Sequence, residues 1–502
     1  MTSSATRTRR ALGACLLAVV LAVMGARSWI GHAGSRLAPS PTGRLPLAPC
    51  RLDGVAEEVR CGTFEVPEDR TNPGSRKIGL RVAVIPALAA DARPDPLFIL
   101  AGGPGQAAVA LAGLLAPMFE KVHHAHDIVL VDQRGTGKSN GLSCAASEDA
   151  GLAERLDVGI DRPGLHACLE RYEREGTDVR AYLTPQAMDD LDEVRQALGY
   201  ERIDLWGASY GTRAALVYLR QHPEHVRAAV IDSVAPPTDS LMLTAAQDGD
   251  RALDLIFDAC SHDPSCNKTY PDLRGQFTRL LAQLAAHPAH VRVPHPVNGA
   301  MTDLTISRDA FLLNLHGLLY SSDVAALLPL IVHRASEGDF GPFAAQAVAV
   351  AGGIGAGLDQ GMFFSVICAE DAPAATAEVN GPGSYFGDSV ARQMLEVCEF
   401  WPRGALPPGY HELVHSDVPV LLLSGELDPI TPPRRAEEAR AGLTHGVLVV
   451  VPGVGHSVTG QGCVPDLVAR FLEAGRADTL DAGCAQELVR PPFFESFAGP
   501  TP

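Results

Sequence analysis

At 502 residues the chain is too long for one core of ordinary size, so two packed units are the starting expectation. Hydrophobic residues make up 46% and charged residues 20%, the balance of a folded globular protein rather than a disordered one. The formal charge of −18, with no Lys/Arg-rich run beyond the first ten residues, argues against nucleic acid as a partner.

Arg7, Arg9 and Arg10 precede an apolar run from Ala11 to Gly25, and small and polar residues follow. That order predicts an export signal, placed with the start of a linker in residues 1–35. The run is shorter than the roughly 20 residues a membrane span needs, so membrane contact is expected only through this segment if it stays uncleaved. A secreted or periplasmic location follows. Cysteine usage agrees. With Cys15 set aside inside the signal, the rest form an even set: Cys50, Cys61, Cys144, Cys168, Cys260, Cys266, Cys368, Cys398, Cys463 and Cys484. In an exported chain such a set points to disulfides. Pairing in sequence order would close the loops 50–61, 144–168, 260–266, 368–398 and 463–484, although spacing leaves other connectivities open. No Cys-x-x-Cys supports a cysteine metal site.

Residues 36 to 49 are rich in Pro and Gly and read as linker. Cys61 to Pro67 opens as a strand, and Ile78, Leu80, Val82 and Val84 alternate with polar or small residues as in a half-buried strand. Pro96 to Leu100 is a continuous apolar run, expected as a central buried strand. It ends in Ala101-Gly102-Gly103-Pro104-Gly105-Gln106, a turn whose backbone can approach a ligand closely. Asp127 to Asp132 is the next strand, leading into Gln133-Arg134-Gly135-Thr136-Gly137-Lys138-Ser139. The end of that stretch copies a phosphate-binding loop, but Asp132 stands where the motif needs its first glycine. Asp132 and Arg134 are expected to brace the loop locally. Three histidines ahead of the strand, His123, His124 and His126, read as a solvated loop.

Thr184 to Leu198 is a helix with Thr at its cap, Pro just inside and Gly199 at its end. It leads to Arg202-Ile203-Asp204-Leu205-Trp206, a buried strand, and then to Gly207-Ala208-Ser209-Tyr210-Gly211 ahead of a helix. Gly-x-Ser-x-Gly between a strand and a helix is a nucleophile elbow. Its glycines avoid collisions across a sharp turn, and the serine stands beside the free N–H groups of a helix start. Ala228 to Asp232 is a further strand. From Leu241 to Tyr410 helical periodicity takes over, as in 252–259, 273–286 and 311–319. Strands resume at Val418 to Leu423 and Thr444 to Val451, and a helix from Val464 to Ala474 closes the pattern. The expected fold class is α/β: a mostly parallel sheet with helices on both faces and a helical cap insertion. Its parts are core over 36–240, cap over 241–410 and the remaining core over 411–502.

A serine hydroxyl needs a base to take its proton, and the base needs a third group to fix its tautomer. Ser209, Asp428 and His456 occur in that order. Asp428 and His456 each follow the end of a predicted parallel strand, the edge where open α/β sheets carry ligands. Glu426 is the alternative acid, and Gly455 is expected to let the loop swing the imidazole inward. The N–H groups of Gly103 and Tyr210 are the expected oxyanion donors. His411-Glu412-Leu413-Val414-His415 copies a zinc-protease pattern, but Pro407, Pro408 and Gly409 on one side and the strand at Val418 on the other leave little room for the helix it needs.

Ala-Gly-Gly-Pro-Gly, Val-Asp-Gln-Arg-Gly-Thr-Gly-Lys-Ser, Gly-Ala-Ser-Tyr-Gly-Thr-Arg and Gly-Glu-Leu-Asp-Pro-Ile-Thr-Pro together resemble the α/β-hydrolase serine aminopeptidases. The branch is that of proline iminopeptidases and exported tripeptidyl aminopeptidases, and the resemblance runs over roughly residues 60 to 475. It implies Ser209, Asp428 and His456 as triad, Gly103 and Tyr210 as oxyanion donors, and a tripeptidyl-aminopeptidase-like C-terminal part. Ala101 stands where proline iminopeptidases have histidine, which speaks against proline-specific cleavage. The resemblance also implies cap carboxylates that anchor a substrate's free amine, for which Glu370 or Asp371 is the candidate. The expected function is an exported serine exopeptidase acting on peptides with free N-termini, with no cofactor and no metal. Its rivals are a carboxylic ester hydrolase using the same triad, and an inactive hydrolase fold serving as a binding protein.

Overall fold

The computed structural model describes residues 45–144, 156, 159–241, 243–295, 298–351, 357–374 and 384–500. The expected export signal lies outside them. Among these described residues, nine strands form one sheet in the order β1-β2-β3-β5-β4-β6-β7-β10-β11. β1 (Ala48–Cys50), β2 (Val59–Pro67) and β3 (Lys77–Ile85) make an antiparallel flank, and β3 runs antiparallel to β5 (Ile128–Val131). From β5 onward, β4 (Leu97–Leu100), β6 (Ile203–Ala208), β7 (Val226–Asp232), β10 (Val420–Gly425) and β11 (Gly446–Val451) are parallel.

The parallel strands are apolar on both sides because both faces are covered. On one face, Phe98, Leu100, Leu205, Ile231 and Leu422 pack with side chains of α1 (Arg162–Arg174), α2 (Thr184–Leu198) and α3 (Tyr210–Gln221). On the other, Leu97, Ile99, Trp206, Val230 and Leu421 pack with Val468 and Phe471 near the C-terminal end of the sheet region. Truncating one such side chain, Leu422→Ala for example, removes about 2–5 kcal/mol by leaving a cavity.

Among the described residues, no strand of this sheet lies between β7 and β10. That stretch builds a separate apolar cluster around Leu253, Phe257, Phe277, Phe311, Leu315 and Phe343. Its helices include α4 (Ala245–His262), α5 (Leu273–Ala286) and α6 (Arg308–Leu318). It also contains a hairpin, β8 (Ala289–Pro294) with β9 (Met301–Ile306), where helix alone was expected. No helix among the described residues is long and apolar enough to cross a membrane.

Several local expectations need correction. Part of the linker at 36–49 is structured: Ala48 to Cys50 pairs with β2, and the Leu45 N–H donates to Ala197 O at 3.1 Å. Thr184 does not cap α2; Leu183 occupies the cap position, and the Thr184 hydroxyl is used elsewhere. His123 and His126 are buried, each within hydrogen-bond distance of a backbone carbonyl, Pro86 O at 2.8 Å and Asp95 O at 2.6 Å. Arg134 is no local brace. It is fully buried and forks onto Asp190 of α2 at 2.7 Å, while Asp132 does serve its own loop by accepting from Lys138 N–H. Residues 411–415 form no helix, and the His411 ring faces Pro237 O at 3.0 Å.

All five pairings in sequence order are present as disulfides: Cys50–Cys61, Cys144–Cys168, Cys260–Cys266, Cys368–Cys398 and Cys463–Cys484.

Candidate active site

β6 ends at Ala208 and α3 begins at Tyr210, so Ser209 alone makes the turn, with φ 57° and ψ −126°. A non-glycine residue is strained there, and such strain persists only where the surroundings impose it. They do. A Cβ on Gly207 would sit 2.3 Å from Gly211 O, and one on Gly211 would sit 2.1 Å from Leu100 O. Small residues are required because β4, β6 and α3 meet at this point. The Ser209 N–H donates to Asp232 O at the end of β7.

Asp428 lies just past β10. It is fully buried and accepts hydrogen bonds from the N–H groups of Ile430 and Thr431 at 2.9 and 2.8 Å. Its other oxygen lies 2.9 Å from His456 Nδ1. A carboxylate only accepts, so Nδ1 carries the proton and Nε2 is left as the basic nitrogen. Burial works to raise the Asp428 pKa, but the charge and hydrogen bond of His456 outweigh it and hold the carboxyl well below its usual range. Burial works to lower the His456 pKa, and the Asp428 charge outweighs that too, so the imidazole titrates above its ordinary value. Glu426, the alternative acid, accepts from Gly453 N–H instead.

Sequence reasoning missed three supports. Thr431 Oγ1 donates to Asp428 Oδ2 at 2.8 Å and lies 3.1 Å from His456 Nδ1. Its signal was present, since a threonine three residues after an aspartate can close a turn back onto it. Asp232, fully buried, accepts from Val458 N–H, Thr459 N–H and the Thr459 hydroxyl at 3.0, 2.8 and 2.7 Å. One residue therefore secures both the nucleophile turn and the histidine loop. Tyr320, just past α6, accepts from His456 N–H at 2.8 Å and sets its ring edge-on to the imidazole, with centroids 4.9 Å apart. Nothing local in the sequence marks that contact. Gly455 is likewise not a source of freedom. A Cβ there would fall 2.5 Å from Tyr320 O, so glycine is needed for close approach.

Gly103 has φ 104°, a conformation that favours glycine, and lies in the turn after β4. Gly102 packs against the nucleophile: a Cβ there would be 3.3 Å from Ser209 Cβ. Among the described residues, neither Gly103 N–H nor Tyr210 N–H donates to another group.

Glu370 and Asp371 sit in a π-helical turn, Ile367–Asp371, and both are buried. Glu370 accepts from Thr184 N–H at 2.7 Å, from the Thr184 hydroxyl at 2.8 Å and from the Tyr410 hydroxyl. The Thr184 hydroxyl in turn lies 2.7 Å from the Tyr210 hydroxyl. Asp371 pairs with the buried Arg213 of α3 at 2.5 Å. Both carboxylates are thus engaged inside the protein, underneath α3. Both are fully buried, and these internal contacts are what the structure shows for the two expected amine-anchoring residues.

Elsewhere, Asp192, His222 and His225 each bring one metal-ligating atom within 4.8 Å of the others. Arg195 already forks onto Asp192 at 2.7 and 3.2 Å, so a cation stands beside this cluster.

A parallel sheet, a serine elbow after β6, an acid after β10 and a histidine after β11 together decide the fold. The chain has the α/β-hydrolase fold. Residues 383–484 of this hydrolase match a family model described as TAP-like protein. The chain is 25% identical to a tripeptidyl aminopeptidase of Streptomyces lividans, over 93% of this chain and 92% of that protein. It is 24% identical to serine protease Hip1 of Mycobacterium tuberculosis (strain ATCC 25618 / H37Rv), over 94% and 96%. It is 26% identical to carboxylesterase B of Mycobacterium tuberculosis (strain CDC 1551 / Oshkosh), over 85% and 86%.

Proposed function

We propose that this serine hydrolase is an exported exopeptidase that releases short peptides or amino acids from free N-termini through an acyl-enzyme. The observation that carries the chemistry is the buried Asp428–His456 couple, tied through Asp232 to the strained turn of Ser209. His456 Nε2 takes the Ser209 proton as the hydroxyl attacks the scissile carbonyl. The N–H groups of Gly103 and Tyr210 receive the negative charge on the carbonyl oxygen. His456 then protonates the leaving amine, and water hydrolyses the acyl-serine by the same route. Asp428 orients the imidazole and stabilises its charged form.

Support for peptides comes from the names of the relatives, a tripeptidyl aminopeptidase and a serine protease. Export is supported by the five disulfides, which form and persist in oxidising compartments. A second reading, carboxylic ester hydrolysis, is favoured by the relative named a carboxylesterase and by the internal engagement of Glu370 and Asp371. The test is one matched series given to the purified protein: a free-amine tripeptide anilide, its N-acetylated twin and a short acyl ester, with Ser209→Ala as blank. Cleavage of the free-amine anilide with the twin inert is the expected result. Ester turnover with both anilides untouched would replace the first reading by the second.

A further inference from the structure

The turn that carries Gly103 has little to hold it from within. Its own backbone supplies a 3.3 Å hydrogen bond from Gln106 N–H to Gly102 O. The rest comes from residues 358–361, more than 250 positions away. Leu358 and Gln106 form an antiparallel bridge, and Asp359 N–H donates to Gly105 O at 3.0 Å. The Asp359 carboxylate accepts from Gly137 N–H at 2.7 Å, and Gly361 N–H donates to Leu142 O at 2.7 Å. The approach is close. A Cβ on Gly105 would sit 2.9 Å from Asp359 O, and one on Gly103 would sit 3.0 Å from a Leu358 methyl.

Asp359 is costly where it stands. It is buried, has no ion-pair partner within 4.0 Å among the described residues, and shares its surroundings with the buried Asp132 carboxylate, which raises its pKa further after burial itself. A buried carboxylate that accepts from one backbone N–H, that of Gly137, and has a like charge nearby detracts from stability. Its contribution has to lie elsewhere. We propose that Leu358 and Asp359 clamp the oxyanion turn, and that Asp359 is a positioning residue that holds Gly103 N–H where the developing negative charge will form. The clamp rests on the catalytic reading above. It places no demand on whether the acyl group comes from a peptide or an ester.

This role separates from a structural one because rate and stability move in opposite directions. Asp359→Ala removes the hold on Gly137 together with the buried charge. With whichever substrate of the series is turned over, its kcat is expected to fall roughly 10- to 100-fold with KM unchanged, as for a displaced oxyanion donor. Its Tm is expected to equal or exceed that of the unaltered protein. Asp359→Asn keeps an acceptor oxygen for Gly137 N–H and is expected to restore kcat to within about threefold. Stoichiometric labelling of Ser209 by a fluorophosphonate counts competent sites in each variant. A kcat of Asp359→Ala within twofold of the unaltered protein overturns the clamp. So does a loss of rate that follows the labelled fraction or a lowered Tm. If Ser209 of the unaltered protein takes no label at all, the reading of the site fails first, and the clamp with it.

Discussion

Thr431 serves both members of the acid–base couple from one hydroxyl, so its removal tests how much of the orientation of His456 is local. Thr431→Val keeps the shape and deletes the hydroxyl. A net hydrogen-bond worth of about 0.5–1.5 kcal/mol predicts a roughly two- to twelvefold lower kcat, measured beside an unchanged KM. The pH profile is a second test. In the proposed mechanism neutral His456 is the base, so kcat/KM is expected to fall on the acid side as the imidazole gains a proton. Asp428 holds that pKa above 6.5, and the acid limb is expected above pH 6.5. Asp428→Asn should move the limb to lower pH and lower kcat by about 10⁴-fold. The two shifts act on stability in opposite windows. The raised pKa of His456 contributes stability that is complete below pH 6.5 and lost as pH rises through the raised value. The depressed pKa of Asp428 contributes stability present above pH 3.8 and lost as pH falls through its folded value.

At the scale of elements, what could be read from the sequence was what neighbours in the chain decide. The elbow at Ser209 is specified by glycines two residues either side, and the positions of Asp428 and His456 follow from the strands that end just before them. α2 and the closing helix at Val464–Ala474 have the expected limits because Gly199 and Gly475 end them in left-handed conformations. What could not be read depends on partners far along the chain. Gly455 looks like a hinge until Tyr320 is seen against it. Glu370 looks like an exposed acid in a loop until Thr184, from a helix 186 positions earlier, fills its oxygens. The π-helical turn that presents Glu370 and Asp371 is joined to the helix Ser389–Cys398 by Cys368–Cys398. Replacing both cysteines by serine should destabilise the protein by roughly 3 kcal/mol in urea unfolding, since a loop of this length loses its closure. The support under α3 should loosen first, with backbone hydrogen exchange near Tyr210 rising ahead of the rest.

In the molecule as a whole, the stretch between β7 and β10 is bound to the sheet region by charge as well as by packing. Asp248 of α4 accepts from Arg434 and from the fully buried Arg435, both in the helix that follows Asp428. Asp248→Asn leaves Arg435 with Asp239 as its remaining carboxylate, and a destabilisation of about 3 kcal/mol or more is expected in denaturant melts, with the ester or anilide activity of the folded fraction retained. The seat of the histidine has a different kind of consequence. The His456 N–H donates to Tyr320 O, and Gly455 lies directly against the same segment. A growing or nicked chain that has Ser209 but not residues 319–320 in place therefore holds a nucleophile without an oriented base. Under the proposed mechanism turnover then waits for that segment to dock, and specific activity is expected to track the fraction of molecules in which residues 319–320 are seated against the histidine loop.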